Sequence, residues 1–229
     1  MSDASAVLAD LAAHIDISCV QAQHTRRDVE ELARRAVDGG FVSAHVLPTW
    51  LPVLRELLSG SSVLAGSPVS FPSGGATPAT KAAEARELLG LGAQELDVVV
   101  SIGRLRSGDT ATVTDELSRV VDIVAGEVPL RAILEVGHLE ESTIRRGVDA
   151  AIAAGVPWIK TGTGWSGIPT TVEHIRVIAE QAAGRAALKA AGGIRDIETI
   201  TTMAELGVTR FGMNATAAVA AVAASRSYA

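Results

Sequence analysis

The chain has 229 residues, 48% of them hydrophobic, which suffices for one domain with a full core and is short for two. Its formal net charge of −6 and pI near 5.4 exclude a general nucleic-acid surface, because backbone binding needs concentrated positive charge. Aromatic residues are only 3%, so alanine, valine and leucine must build most of the core.

Cys19 stands alone, which rules out an intrachain disulfide and any CxxC redox or zinc motif. The opening MSDASAVLAD carries acids where a signal peptide would carry basic residues, and no apolar run reaches the length of a membrane span. The expectation is a cytoplasmic protein with no membrane and no nucleic-acid partner.

In chain order, the first strand-like run is 12–18 (AAHIDIS). A helix follows over 27–38, where Val29, Leu32, Ala33, Ala36 and Val37 share one face before Gly39 and Gly40. Further runs lie at 41–47 (FVSAHVL), 62–71 and 94–101 (QELDVVVS), with a helix opening at Lys81 and Glu84 expected to face solvent. Val113, Leu117, Val120, Val121 and Val124 give 112–125 the same helical period. The next runs are 130–136 (LRAILEV) and 157–162 (PWIKTG), separated by a segment in which Gly147 interrupts a helix at some cost. Thr170 and Glu173 suggest a capping box for a helix over 171–182. Runs at 186–190 (AALKA) and 208–211 (VTRF) and an alanine-rich final helix complete the chain.

Eight strand–helix units predict a parallel sheet covered by helices, closed as a single (β/α)8 TIM barrel over 1–229. A doubly wound open sheet is the alternative. It would require merged units, and no GxGxxG follows the first strand to support its dinucleotide-binding form.

In a barrel, polar residues at the C-terminal ends of strands face the active site. Read that way, Asp16 and Ser18, Asp97, Glu135, Lys160 and Lys189 form one set. The chain has three lysines against seventeen arginines, and two of the three fall on adjacent predicted strands. A neutral lysine amine attacks a carbonyl to form a Schiff base, an electron sink for making or breaking the neighbouring carbon–carbon bond. Burial and a second cation favour the neutral amine. Asp97 and Asp16, in otherwise apolar runs, need partners and could move protons. The bland alternative is that these ions only hold the barrel mouth together.

The same residues sit in an ordered series that resembles the deoxyribose-phosphate aldolase family of class I aldolases. The series comprises HIDIS (14–18), SFPSG (70–74), KAAEARELLGLGAQELDVVVSIGRLRSG (81–108), ILEVGHL (133–139), IKTGTG (159–164), LKAAGGIR (188–195) and RFG (210–212). The resemblance implies a (β/α)8 fold, Lys160 as Schiff-base nucleophile and Lys189 as the lysine that tunes it. It further implies Asp97 as the acid that assists carbinolamine formation, and Asp16 as the partner of Lys189. It implies acetaldehyde as enamine donor and glyceraldehyde 3-phosphate as acceptor, with no cofactor and no metal. Candidate substrate contacts are Ser18, Thr161, Gly164, Gly192, Gly193, Arg195, Gly212 and Asn214. The expected partner is a small aldehyde or sugar phosphate. Family members form dimers and larger assemblies, so a second copy of the chain is a further candidate.

Several positions depart from the family pattern. Gly162 replaces a serine, Trp165 stands where some members have lysine, and Met213 and Asn214 occupy a usually serine-containing stretch. His45 replaces a common cysteine, Arg131 a lysine, and Ser18 a threonine. These leave open a lyase, dehydratase or condensing enzyme that uses a Lys160 iminium on a less charged carbonyl compound, and a barrel that binds a ligand without turning it over. Among the histidines, His174 reads as ordinary surface or packing, while His45 and His138 lie near strand ends. No histidine has metal-ligand spacing.

Overall fold

The computed structural model describes residues 3–226. Eight strands form a closed, all-parallel barrel in sequence order: β1 (Ile15–Cys19), β2 (Ser43–Val46), β3 (Leu64–Val69), β4 (Glu95–Val99), β5 (Leu130–Ile133), β6 (Trp158–Lys160), β7 (Ala187–Ala191) and β8 (Val208–Met213). The open-sheet alternative is therefore overturned, because β8 pairs back onto β1. The predicted runs overlap all eight strands. The run 12–18 begins too early: residues 11–14 form a 3-10 turn, and the ladder starts at Ile15.

Ten α-helices accompany the strands among the described residues: α1 (Asp3–Ala9), α2 (Arg26–Asp38), α3 (Leu51–Leu57), α4 (Pro78–Gly90), α5 (Ile102–Arg106), α6 (Thr110–Val124), α7 (Glu141–Ala153), α8 (Val172–Ala182), α9 (Ile197–Glu205) and α10 (Ala215–Ser225). Short polar residues start most of the long ones. Thr77, Asp109, Thr171, Asp196 and Asn214 each accept a backbone N–H from their own first turn, satisfying a donor the helix cannot. The capping box of α8 is shifted by one from expectation, pairing Thr171 with His174. Thr170 instead turns inward and donates to the Ala191 carbonyl at 2.7 Å. The final helix runs to Ser225, and residues 227–229 of the expected helical tail lie outside those described.

Period-2 alternation assigns the strand faces. Ile15, Ile17, Ala44, Val46, Leu96, Val98, Ala132, Ile159, Leu188, Ala190 and Phe211 are buried in the apolar core between sheet and helices. Their neighbours Asp16, Ser43, His45, Glu95, Asp97, Arg131, Lys160, Lys189 and Arg210 meet inside the barrel. Gly147 in α7 has a packing reason: a Cβ there would lie 2.9 Å from Leu105 Cδ2.

Lys81 departs from its solvent-side expectation. It shares the buried stripe of α4 with Ala85 and Leu88, a spacing of one and two helical turns. Its ammonium lies 2.9 Å from Glu116 Oε2 on α6 and donates to the Val99 carbonyl at 2.8 Å. Glu116 also accepts from Ser101 N and Oγ, each at 2.6 Å, so one ion pair ties α4 and α6 to the end of β4. Glu84 accepts from Ser70 N at 2.7 Å and fixes the turn after β3. The outer pair gives a direct test. Glu116→Ala should lose about 3–5 kcal/mol in urea unfolding, whereas Lys81→Met with Glu116→Leu should lose much less than the two single changes added together.

Candidate active site

The C-terminal mouth of the barrel opens into a cavity of about 660 Å³. Asp16 (β1), His45 (β2), Pro68 (β3), Asp97 (β4) and Lys160 (β6) form its floor, and the loops after β1, β3, β6, β7 and β8 form its walls. The adjacent strands β6 and β7 place Lys160 and Lys189 in direct register, and β7 pairs Lys189 in turn with Arg210 on β8.

Two lysines share one carboxylate oxygen. Lys160 Nζ donates to Asp97 Oδ2 at 2.7 Å, and Lys189 Nζ donates to the same atom at 3.0 Å. Lys189 Nζ also lies 2.8 Å from Asp16 Oδ1. Their exposures separate them: the Lys160 side chain is 12% exposed and reaches the cavity, while that of Lys189 is 0% exposed beneath it. Only the Lys160 amine can meet a carbonyl carbon without rearrangement.

A second layer of charge supports the first. Arg131 donates to Glu95 at 2.8 Å and to Asp97 Oδ1 at 3.2 Å, with its guanidinium 5.5 Å over the Trp158 ring. Arg210 donates to the same Glu95 oxygen as Arg131. Ser43 and His45 complete Glu95 through its other oxygen, at 2.7 and 3.1 Å.

Burial opposes the charge of Asp97, but the cations Lys160, Lys189 and Arg131 outweigh it and hold the carboxyl well below its usual range. Asp16 is lowered against the same burial, mainly by Lys189. Burial dominates for Lys189 despite Asp16 and Asp97, and its pKa falls to about 8. The acids are thus ionised near neutrality, while the deeper lysine holds its proton loosely.

Of the expected site residues, Asp16, Ser18, Asp97, Lys160, Gly164, Gly192, Gly193, Arg195, Gly212 and Asn214 border the cavity. Lys189 lies below its floor. Thr161 does not reach the cavity. Its buried hydroxyl donates to the Ala191 carbonyl at 2.8 Å and accepts from Ala191 N at 2.9 Å, bracing β6 against β7. Glu135 contacts no lysine; it accepts from Thr163 N at 3.1 Å and from the Thr163 hydroxyl, shaping the loop after β6. His138 ends a 3-10 turn away from the cavity.

Glu95, Ser43 and Arg210 escaped sequence reading. The available signal was spacing: Glu95 lies two residues before Asp97, and two strand residues share a face. Arg210 carried no such cue, because one arginine in VTRF reads equally well as solvent-facing. Among the described residues, no group of three His, Cys, Asp or Glu side chains is placed to hold a metal, and no helix is long and apolar enough to cross a membrane.

The fold and site define a parallel (β/α)8 barrel whose mouth presents a lysine amine hydrogen-bonded to a buried, ionised aspartate. No family model matches the chain. It is 50% identical over 211 residues to the deoxyribose-phosphate aldolase of Sinorhizobium medicae, covering 92% of this chain and 85% of the relative. The deoxyribose-phosphate aldolase of Klebsiella pneumoniae is 45% identical over 203 residues, covering 87% and 81% respectively. The solved tetrameric deoxyribose phosphate aldolase of Aeropyrum pernix superposes with a TM-score of 0.86 at 28% identity, over 97% of this chain and 93% of that one. The chain belongs to the deoxyribose-phosphate aldolase family.

The depressed Lys189 pKa has a consequence for stability. On unfolding, Lys189 returns from about 8 to its ordinary 10.5, so between those values the unfolded chain binds the extra proton. This residue's contribution to stability therefore rises with pH across that window. Urea unfolding should show the wild type gaining on Lys189→Met between pH 8 and pH 10. A difference that stays flat would mean that Lys189 folds with its proton firmly bound.

Proposed function

We propose that this chain is a class I aldolase that reversibly joins acetaldehyde to glyceraldehyde 3-phosphate through a Schiff base on Lys160. One observation carries the reading: Lys160, unlike the enclosed Lys189, reaches the cavity, and its amine lies 2.7 Å from the ionised Asp97. The neutral amine attacks the acetaldehyde carbonyl, and Asp97 is placed to pass protons as the carbinolamine loses water. Loss of an α-proton from the resulting iminium gives the enamine, whose terminal carbon attacks the acceptor aldehyde. Water then hydrolyses the product iminium and frees Lys160. Lys189, bound to both Asp97 and Asp16, sets the field at this amine and holds a mobile proton nearby.

At the distal end, Gly192, Gly193, Gly212 and Asn214 bring backbone close to the cavity, and the exposed Arg195 supplies positive charge for a phosphate. Ser18 and Gly164 flank the path between the two ends. A second reading, an uncharged acceptor, rests on Trp165. Its indole N–H donates to the Val20 carbonyl at 3.0 Å, and its ring meets Phe71 edge-on at 6.0 Å. This gives the rim an apolar side, suited to an aldehyde without phosphate. We further propose that the protein works in the cytoplasm and as a homo-oligomer, in line with the tetrameric relative.

Borohydride reduction with acetaldehyde, followed by intact mass and peptide mapping, should place one reduced adduct on Lys160 and none in Lys160→Ala. Absence of an adduct with acetaldehyde and with a panel of other small aldehydes and ketones would sink the aldolase reading. The two acceptor readings separate on Arg195→Ala. For a phosphate-binding Arg195, KM for glyceraldehyde 3-phosphate should rise about tenfold or more while KM for glyceraldehyde hardly moves. Equal, small effects on both would favour the uncharged acceptor.

A further inference from the structure

Loss of the α-proton from the iminium needs a base close to Lys160. Asp97 is the nearest carboxylate to Lys160, but the oxygen facing the lysines already accepts from both of them. Its pKa is held well below the usual range, which makes it a weak acceptor for a carbon-bound proton. A stronger neutral base at the same floor would serve better.

His45 occupies that position. It lies on β2 between Ser18 of β1 and Gly66 of β3 in the ladder register, is nearly fully buried, and lines the cavity. The ring lies against the backbone of Gly66, where a Cβ would come within 2.3 Å of Cε1 and 2.5 Å of both ring nitrogens. Any side chain at position 66 would displace the imidazole, so the strand next door leaves the space that this ring fills.

The hydrogen bonds fix the tautomer. Glu95 is ionised and can only accept, so the 3.1 Å contact to its Oε2 requires His45 Nε2 to carry hydrogen. In the neutral ring, Nδ1 then keeps a lone pair. Among the described residues it has no hydrogen-bond partner, and it lies 3.9 Å from the Asp97 Oδ2 that binds Lys160. The arrangement is a carboxylate orienting an imidazole whose other nitrogen lies beside the carboxylate oxygen that binds the lysine.

We infer that His45 is the proton carrier of the carbon–carbon bond-forming half of the reaction, acting through Nδ1 on the α-carbon of the Lys160 iminium, directly or through one water. The inference rests on the aldolase reading and deepens it. In the forward direction, Nδ1 takes the α-proton, the C–H pair becomes the C=C bond, and the C=N π pair returns to the Lys160 nitrogen. The products of that step are a neutral enamine and an imidazolium flanked by the Glu95 and Asp97 carboxylates. When the enamine carbon attacks the acceptor, its π pair forms the new C–C bond and the acceptor C=O pair moves onto oxygen. The imidazolium returns its proton to that oxygen, and the cycle closes with no outside oxidant or reductant. An imidazole nitrogen can both accept a proton and give it back, so His45 can take and return one in a single turnover.

His45→Gln separates proton transfer from architecture, because the amide can still donate to Glu95 but offers no comparable base. Deuterium incorporation into the methyl group of acetaldehyde in D2O reads the α-proton step, and borohydride trapping reads iminium formation. The expected result is that His45→Gln still traps acetaldehyde on Lys160 but exchanges deuterium at least about 100-fold more slowly than wild type. In the smaller His45→Ala protein, added imidazole should restore part of the exchange. Unchanged exchange in His45→Gln would overturn the assignment. A parallel fall in trapping and exchange, unrescued by imidazole in His45→Ala, would overturn it as well and leave His45 a packing residue. A wild-type protein that forms no iminium at all would instead strike at the aldolase reading on which the assignment stands.

Discussion

The Asp97 carboxylate is the point on which this barrel is organised. One oxygen accepts from Lys160 and Lys189, and the other from Arg131, so three cations from three successive strands converge on one buried acid. Removing an ion from water costs several kcal/mol even after relaxation, and the cost is offset only if each charge finds well-placed partners. Glu95 repeats the pattern one layer down with Arg131 and Arg210, and Asp16 holds Lys189 from the side. Four basic side chains therefore meet three acids inside a cylinder where most barrels pack branched apolar residues. Each member is held by at least one partner from another strand, and the geometry is specified by the network as a whole.

That interior shifts the work of stability outward. The strands turn their apolar residues to the helices, and the continuous core runs around the outside of the sheet. Alanine and valine dominate it, which lets short helices pack close to short strands. A second buried pair, Lys81 with Glu116, fastens the turn between β4 and α5, while Glu84 and Glu135 do the same for the loops after β3 and β6. Glu84 and Glu135 hold the loops of Phe71 and Thr163, which border the cavity, so that these walls inherit the rigidity of the barrel.

The two lysines illustrate how environment divides one residue type into two roles. Both are on neighbouring strands and bind the same oxygen, yet one is enclosed and the other opens to the cavity. Full enclosure lowers the pKa of Lys189 to about 8, which leaves it able to exchange a proton near neutrality. Exposure gives Lys160 access to a carbonyl. His45 extends the division to a third basic group, oriented by Glu95 and made room for by Gly66. At the rim, Trp165 joins the loops after β1 and β3 through one hydrogen bond and one ring contact, closing a side where a basic residue would otherwise offer charge.

Periodicity in the sequence determined the eight-unit barrel, because each strand must bury an apolar face and each helix an apolar stripe regardless of what lies inside. Scarcity made two residues visible: lysine is so rare here that Lys160 and Lys189 at adjacent strand ends demanded a chemical reason. Other facts were decided only in three dimensions. The chain alone does not distinguish the enclosed lysine from the open one, since the two sit in register on adjacent strands and differ only in what surrounds them. Lys81 looked solvent-facing until the rotation of α4 turned it against α6, and Thr161 looked like a substrate contact until Ala191 claimed its hydroxyl. Arg210 and Glu95 are 115 residues apart, and Lys189 and Asp97 are 92 apart. Such pairings leave no local pattern, because barrel closure brings together side chains whose only relation in the sequence is that each points inward.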